Sequence, residues 1–219
     1  MIVTIDGPAG AGKSSVARLL AKRLDFDFLD TGAMYRAVAL AALRRELDLA
    51  SDDLLGRLVD ELHLEMRGDV VVLDGEDVSM LLRSPEVTAA TGQVADRREV
   101  RARLNAQQRK IAAGRNIVCE GRDQGTIVFP EAECKFFLHA EPRERARRRY
   151  EELLMRDPAL TFEEVLLQQE ERDARDAARD IAPMEPAPDA IHFDSTPLTL
   201  HEVVDRMEEY VRRRMGNAP

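Results

Sequence analysis

At 219 residues, 44% hydrophobic and 33% charged, the chain is long enough for one sizeable α/β domain with insertions and has the balance of a soluble globular enzyme. Its formal net charge of −9 argues against nucleic acid as a partner, because binding a bulk polyanion leans on a positive field. No apolar run approaches the roughly 18 residues of a membrane span, and the sequence opens on a strand pattern, so no membrane partner, no signal peptide and a cytoplasmic setting are expected.

The first predicted element is a short strand rich in β-branched residues, Ile2-Val3-Thr4-Ile5-Asp6. Gly7-Pro8-Ala9-Gly10-Ala11-Gly12-Lys13-Ser14 follows at once and matches the phosphate-binding pattern G-x-x-x-x-G-K-[ST] in full. A helical pattern comes next, with Val16, Leu19, Leu20 and Leu24 apolar and Arg18, Lys22 and Arg23 polar. Glycines let backbone N–H groups turn inward around a polyphosphate, and the helix N-terminus behind them adds donors and partial positive charge. Lys13 is expected to reach the β- and γ-phosphates and Ser14 to offer its hydroxyl to Mg²⁺, with Gly7 to Ser15 cradling a nucleoside triphosphate.

Asp25 to Asp30 reads as a second strand, and Thr31-Gly32 opens a helix from Ala33 to Arg45. Asp52-Asp53 leads into a helix over 54–62. From His63 to Gly92 the pattern changes: Leu64–Arg67, Val70–Leu73 and the turn Asp74-Gly75-Glu76-Asp77 predict small antiparallel strands inserted on the edge of the main domain. One long helix is expected from Pro85 to Ala113, then a buried strand Ile117-Val118-Cys119 and another at Lys135–Ala140. Pro142 starts a helix over Arg143–Met155, and Thr161-Phe162-Glu163-Glu164 is a capping box for a helix reaching Arg179. Pro183, Pro186 and Pro188 form a connector to the last strand, Ile191–Asp194, and Thr199-Leu200-His201-Glu202 caps a final helix to Met215. Five strands interleaved with helices imply a parallel sheet with helices on both faces, with ligands collecting at the strands' C-terminal edge.

Polar clusters stand at those strand exits. Besides the phosphate loop there is Asp30-Thr31-Gly32-Ala33-Met34-Tyr35-Arg36, in which Arg36 reads either as a solvated helix arginine or as a grip on an anion. Glu120-Gly121-Arg122-Asp123-Gln124-Gly125-Thr126 is a third cluster, readable also as a capped turn with an ion pair. Arg172, Arg175, Asp176 and Arg179 share one helix face, either solvated or visited by anions. Cys119 and Cys134 form no CxxC pair, and the four histidines are scattered, so no metal cluster of that type is expected. A hydrolase needs only a water-positioning residue, whereas a phosphoryl transferase needs a second anionic site, so the surplus arginines favour a kinase with a phosphorylated acceptor. The Asn-Lys-x-Asp motif of guanine-reading switches does not occur.

The sequence resembles the bacterial cytidylate kinases of the nucleoside monophosphate kinase family, in register over essentially the whole chain. The likeness is carried by Ile5–Lys13, Leu29–Ala37, Glu120–Pro130, Arg145–Arg149, Arg172–Asp176 and Asp194–Thr196. It implies a three-layer α/β P-loop fold around a five-stranded parallel sheet. Residues 1–30, 101–149 and 183–219 would form the core, 31–100 an acceptor-binding domain extended by the 63–92 insertion, and 150–182 a helical lid. The implied reaction is ATP- and Mg²⁺-dependent phosphorylation of CMP and dCMP by a monomer. Arg36, Arg122, Arg172 and Arg179 would hold the acceptor's phosphate, with Thr31 and Tyr35 close by and Asp176 on its ribose. Arg101 and Asp123 would read the base. Arg148 and Arg175 would be lid arginines on the ATP phosphates, and Lys13, Arg122, Arg175 and Arg179 would act on the transferring group. One departure stands out: where the family usually has a serine near the base, this chain has Gly92, preceded by Thr91, so a base contact is either missing or supplied by Thr91.

Overall fold

The computed structural model describes residues 1–154 and 159–216. The chain divides into two compact units, Met1–Phe28 with Arg115–Pro219, and Leu29–Gly114.

The first unit is built on a parallel sheet. The strands of the sheet are β1 (Ile2–Asp6), β2 (Asp27–Asp30, whose last two residues are counted with the second unit), β6 (Ile117–Glu120), β7 (Cys134–His139) and β8 (Ile191–Asp194), in the order β2-β6-β1-β7-β8. The central strand pairs in register with both neighbours, Val3 opposite Val118 on one side and Cys134 on the other. Alternation along β1 sends Val3 and Ile5 to one face, where they pack with Val16, Ala17 and Leu20 of α1 (Lys13–Leu24) and Val204 and Met207 of α8 (Leu200–Gly216). The opposite face over β1 is covered by a π-helical turn, Gln124–Val128, rather than by a full helix: a Cβ on Gly125 would stand 3.0 Å from Thr4 Oγ1. β2 begins at Asp27, two residues later than its sequence suggests, because Asp25 closes α1 in the left-handed conformation (φ 57°).

The same unit holds α6 (Pro142–Leu154) and α7 (Phe162–Ala177). The expected end of α6 at Met155, and 156–158 of the expected lid segment, lie outside the described residues. Both predicted capping boxes are present: Glu164 N–H donates to Thr161 Oγ1, Glu202 N–H to Thr199 Oγ1, and each glutamate accepts from its cap's backbone. α7 ends at Ala177, short of Arg179.

The second unit contains α2 (Thr31–Arg44), α3 (Asp52–Glu61), the antiparallel strands β3 (Leu64–Arg67), β4 (Val70–Leu73) and β5 (Glu76–Asp77), then α4 (Pro85–Ala95) and α5 (Arg98–Ala112). Asp74 and Gly75 both take positive φ (50° and 86°), the requirement of a two-residue hairpin turn whose twist matches the strands. The long helix expected over Pro85–Ala113 is two helices, broken where Arg97 is extended (ψ 127°). Tertiary bonds make the break: Arg97 Nη1 donates to Ala50 O (3.0 Å), and Asp52 Oδ1 accepts from Glu99 N–H (3.0 Å), capping α5 with a residue of another helix. Gly56 lets α3 approach α5, since a Cβ there would meet Glu99 Cβ at 2.9 Å. Residues 101–114, expected with the core, accordingly fall in this second unit, and the 150–182 segment falls in the first.

Asp52→Ala should leave one α5 N–H without its cap and lower stability by about 1 kcal/mol, read as a lower urea midpoint at unchanged slope. An unmoved midpoint would mean that water serves the amide equally well.

Candidate active site

The phosphate loop runs from the end of β1 to the start of α1 in a shape that only glycine allows at two points. Gly7 (φ 141°) crosses β7 so closely that a Cβ would lie 2.0 Å from Leu138 O, and Gly12 (φ 88°) is the N-cap of α1. Lys13 is 5% exposed, and its Nζ donates to Pro8 O at 2.7 Å. Burial pushes its ammonium well below the ordinary lysine value, the Arg122 and Arg172 charges push the same way, and Glu120 and Asp6 oppose them. The loop therefore closes on a dry, cation-rich spot, an environment that favours an anion. Ser14 donates its hydroxyl to Glu120 Oε1 at the end of β6, and Ser15 is exposed on α1.

Asp6, the last residue of β1, grips the turn that carries Asp123. Its two oxygens accept from Gln124 N–H (2.9 Å) and Gly125 N–H (2.7 Å). Burial raises its pKa to about 7 against those two bonds; Asp123 adds to the rise and Lys13 opposes it. The sequence gives Asp6 no role, although a carboxylate ending an apolar strand beside a phosphate loop is itself a signal. Asp123 is buried in the same turn.

The arginine cluster assembles around one carboxylate. Asp176 accepts from Arg122 Nε (2.9 Å) and Arg179 Nη2 (2.6 Å). Burial pushes Asp176 up, but the Arg122, Arg179 and Arg172 charges outweigh it and hold its carboxyl below the ordinary value. Arg122, Asp176, Arg179 and Arg172 thus share one electrostatic neighbourhood with Lys13. Arg175 is exposed on α7.

Arg148, expected as a lid arginine on the ATP phosphates, is bonded within the first unit. Its Nη1 and Nη2 donate to Ser195 Oγ (3.1 Å) and Ser195 O (2.7 Å), and its Nε donates to Glu144 (2.9 Å). It reaches the loop through Ser195, whose hydroxyl lies 3.4 Å from Ala11 O, and so braces backbone.

In the second unit, Asp30 ends β2, caps α2 through Ala33 N–H (2.8 Å), and accepts from Arg36 Nη2 (2.9 Å). Thr31 is buried beside it in sequence. Arg101, buried on α5, lies 5.6 Å over the Tyr35 ring, and its Nη1 donates to Ala95 O (3.1 Å) at the end of α4. Thr91, beside Gly92, donates its hydroxyl to Val87 O at 2.6 Å within its own helix.

Residues 3–213 match the family model for cytidylate kinase. The chain belongs to the cytidylate kinase family. Its reaction is ATP-dependent phosphorylation of CMP and dCMP. It is 46% identical to the cytidylate kinase of Vibrio cholerae over 98% of this chain and 97% of that one, and 46% identical to that of Caldanaerobacter subterraneus over 96% and 94%. A crystal structure of an uncharacterized protein from Eubacterium ventriosum shares the fold at 13% identity, with a TM-score of 0.54 over 97% of this chain and 98% of that one. No helix among the described residues is long and apolar enough to cross a membrane.

Because free Lys13 is held well below its ordinary pKa, a triphosphate on the loop should raise it and draw in a proton. Titrated with ATP at pH 8 in buffers of different ionisation enthalpy, the wild type should show uptake of up to about one proton per site, and Lys13→Gln should show much less. Equal uptake by both would remove Lys13 as the group that titrates.

Proposed function

We propose that ATP binds as its Mg²⁺ complex on Gly7 to Ser15 and that arginines hold CMP or dCMP. The observation that carries this reading is the Arg122–Asp176–Arg179 cluster beside Lys13, more cationic charge than a triphosphate cradle alone requires. Phosphoryl transfer needs little covalent help; it needs reactants in line and charge neutralised over the transferring oxygens. Lys13 exchanges Pro8 O for a phosphate oxygen. Arg122, Arg172 and Arg179, with Arg36, take the acceptor's phosphate. Asp176, released from its arginines, accepts from the ribose, and Thr31 lies close to the acceptor. Arg175 serves the ATP phosphates, and Arg148 serves them indirectly through Ser195.

The donor set suits Mg²⁺: the Ser14 hydroxyl and a Glu120 carboxylate oxygen already meet, both hard oxygen ligands, and this ion takes few protein ligands where phosphates and water supply the rest. Bound there, it would neutralise charge on the phosphates. The protein acts as a monomer in the cytoplasm, since one chain carries both sets of ligand-holding residues.

Base reading falls to Asp123 and Arg101, with Tyr35 supporting Arg101 from its ring face. Cytosine presents an amine that a carboxylate accepts, and acceptors that a guanidinium serves. Uracil turns a carbonyl to the same carboxylate, and an unpaired buried acceptor costs about 1–3 kcal/mol, or roughly 10–100-fold in kcat/KM. Offering CMP, dCMP, UMP, AMP, GMP or no acceptor with ATP and Mg²⁺ tests the assignment: fast ADP release should require CMP or dCMP. Asp123→Ala should shrink the CMP-over-UMP preference to within a few-fold. An unchanged preference would take Asp123 out of base reading, and wild-type UMP turnover equal to CMP would mean that Gly92 leaves the pocket unselective.

A further inference from the structure

The inward face of α7 is apolar in its first half, with Val165 buried and Phe162 and Leu166 half-buried, and polar in its second, where Gln169 and Asp176 are buried and Asp173 is half-buried at spacings of four and three residues. A helix seated by an apolar stripe resists opening through the area it covers; one seated by hydrogen bonds exchanges them for water at small net cost. Which bonds seat α7 therefore decides how readily it leaves.

Asp173 makes a closed ring with the phosphate loop. Its Oδ1 accepts from Ala9 N–H at 2.9 Å, and its Oδ2 pairs with Arg145 Nη1. The same Nη1 donates to Ala9 O at 2.7 Å. Both backbone polar groups of Ala9 are thereby held, one by α7 and one by α6. Arg145 is itself fixed: it is 6% exposed and its Nε donates to Ala140 O at 3.0 Å. The next loop residue is packed against the same pair of helices, since a Cβ on Gly10 would meet Gln169 Nε2 at 2.5 Å and Arg145 Cβ at 3.2 Å.

We propose that Asp173 is a positioning residue that fastens α7 to the phosphate loop through Ala9 and Arg145, and so sets where its neighbours Arg172 and Asp176 stand beside Lys13 and Arg122. It touches neither reactant; it acts through the loop and through its own helix. Without it, the arginine-bearing helix seats less often and the loop's first turn loses a constraint, so water enters while ATP is bound. The inference rests on the loop being the ATP site, and the measurements separate the two.

The test uses Asp173→Asn, nearly isosteric and still able to accept from Ala9, and Asp173→Ala, which removes both bonds. Amide exchange in the ligand-free protein at residues 8–12 and 162–177 should rise together, slightly in the asparagine variant and about tenfold or more in the alanine variant, as expected when one or two seating bonds are lost. With CMP and ATP, kcat should fall about tenfold in the alanine variant, and ADP formed should exceed CDP formed, a ratio that merely lowered stability does not change. The asparagine variant should recover part of both. Unchanged loop exchange with ADP and CDP still equal overturns the proposal, as does a uniform rise in exchange throughout the first unit. A wild-type protein that makes no CDP would instead overturn the ATP-site reading, leaving exchange to judge the clamp by itself.

Discussion

A polyphosphate site needs concentrated positive charge away from water, and the protein must fold around that charge before any phosphate arrives. Lys13 is buried within reach of the half-buried Arg122 and the exposed Arg172, and an uncompensated buried charge costs several kcal/mol. The chain meets this with carboxylates rather than by exposing the cations. Glu120 and Asp6 oppose the depression of Lys13, and Asp176 takes Arg122 and Arg179. Each carboxylate has a second attachment: Glu120 to Ser14, Asp6 to the turn at 124–125, and Asp176 to the helix whose face it shares with Asp173. Counter-charge and framework are the same atoms.

That double duty explains why Asp6 tolerates burial that lifts its pKa to about 7. Two backbone N–H groups would be orphaned if it were replaced by an apolar side chain, and the strand it ends is the one that leads into the loop. Asp6 therefore ties the residue that opens the loop, Gly7, to the turn that follows Asp123. This gives the nucleotide loop and the residue proposed to read the base a common mechanical origin.

Much of this was legible in the sequence because it is local. The strand–loop–helix spelling, both capping boxes and the Asp-Gly hairpin each follow from residues within a few positions of one another, and all are present. What escaped is what distant residues impose. The break between α4 and α5 comes from Asp52 and Ala50, some 45 residues earlier, on a stretch whose own pattern is continuously helical. The π-helical turn at 124–128 depends on Asp6, far upstream. The fork of Arg148 closes on Ser195, a partner that no spacing rule links to it. Arginine clusters were readable as clusters, while the carboxylate each arginine uses was not.

The polar seat of α7 bears on why such an enzyme transfers phosphate to an acceptor rather than to water. Asp176 gives one oxygen to Arg122 and the other to Arg179, and a carboxylate with about four lone-pair sites keeps room for a further donor such as the ribose hydroxyl proposed for it. On the proposed reading, a phosphate arriving at those arginines loosens their hold on Asp176, so the event that neutralises the cations also opens that carboxylate to the acceptor's ribose. Water carries no charge to displace the ion pairs and leaves the cluster as it stands. On the proposed reading, selectivity for an anionic acceptor over water comes in part from this counter-ion arrangement, beside the seating of α7 proposed for Asp173.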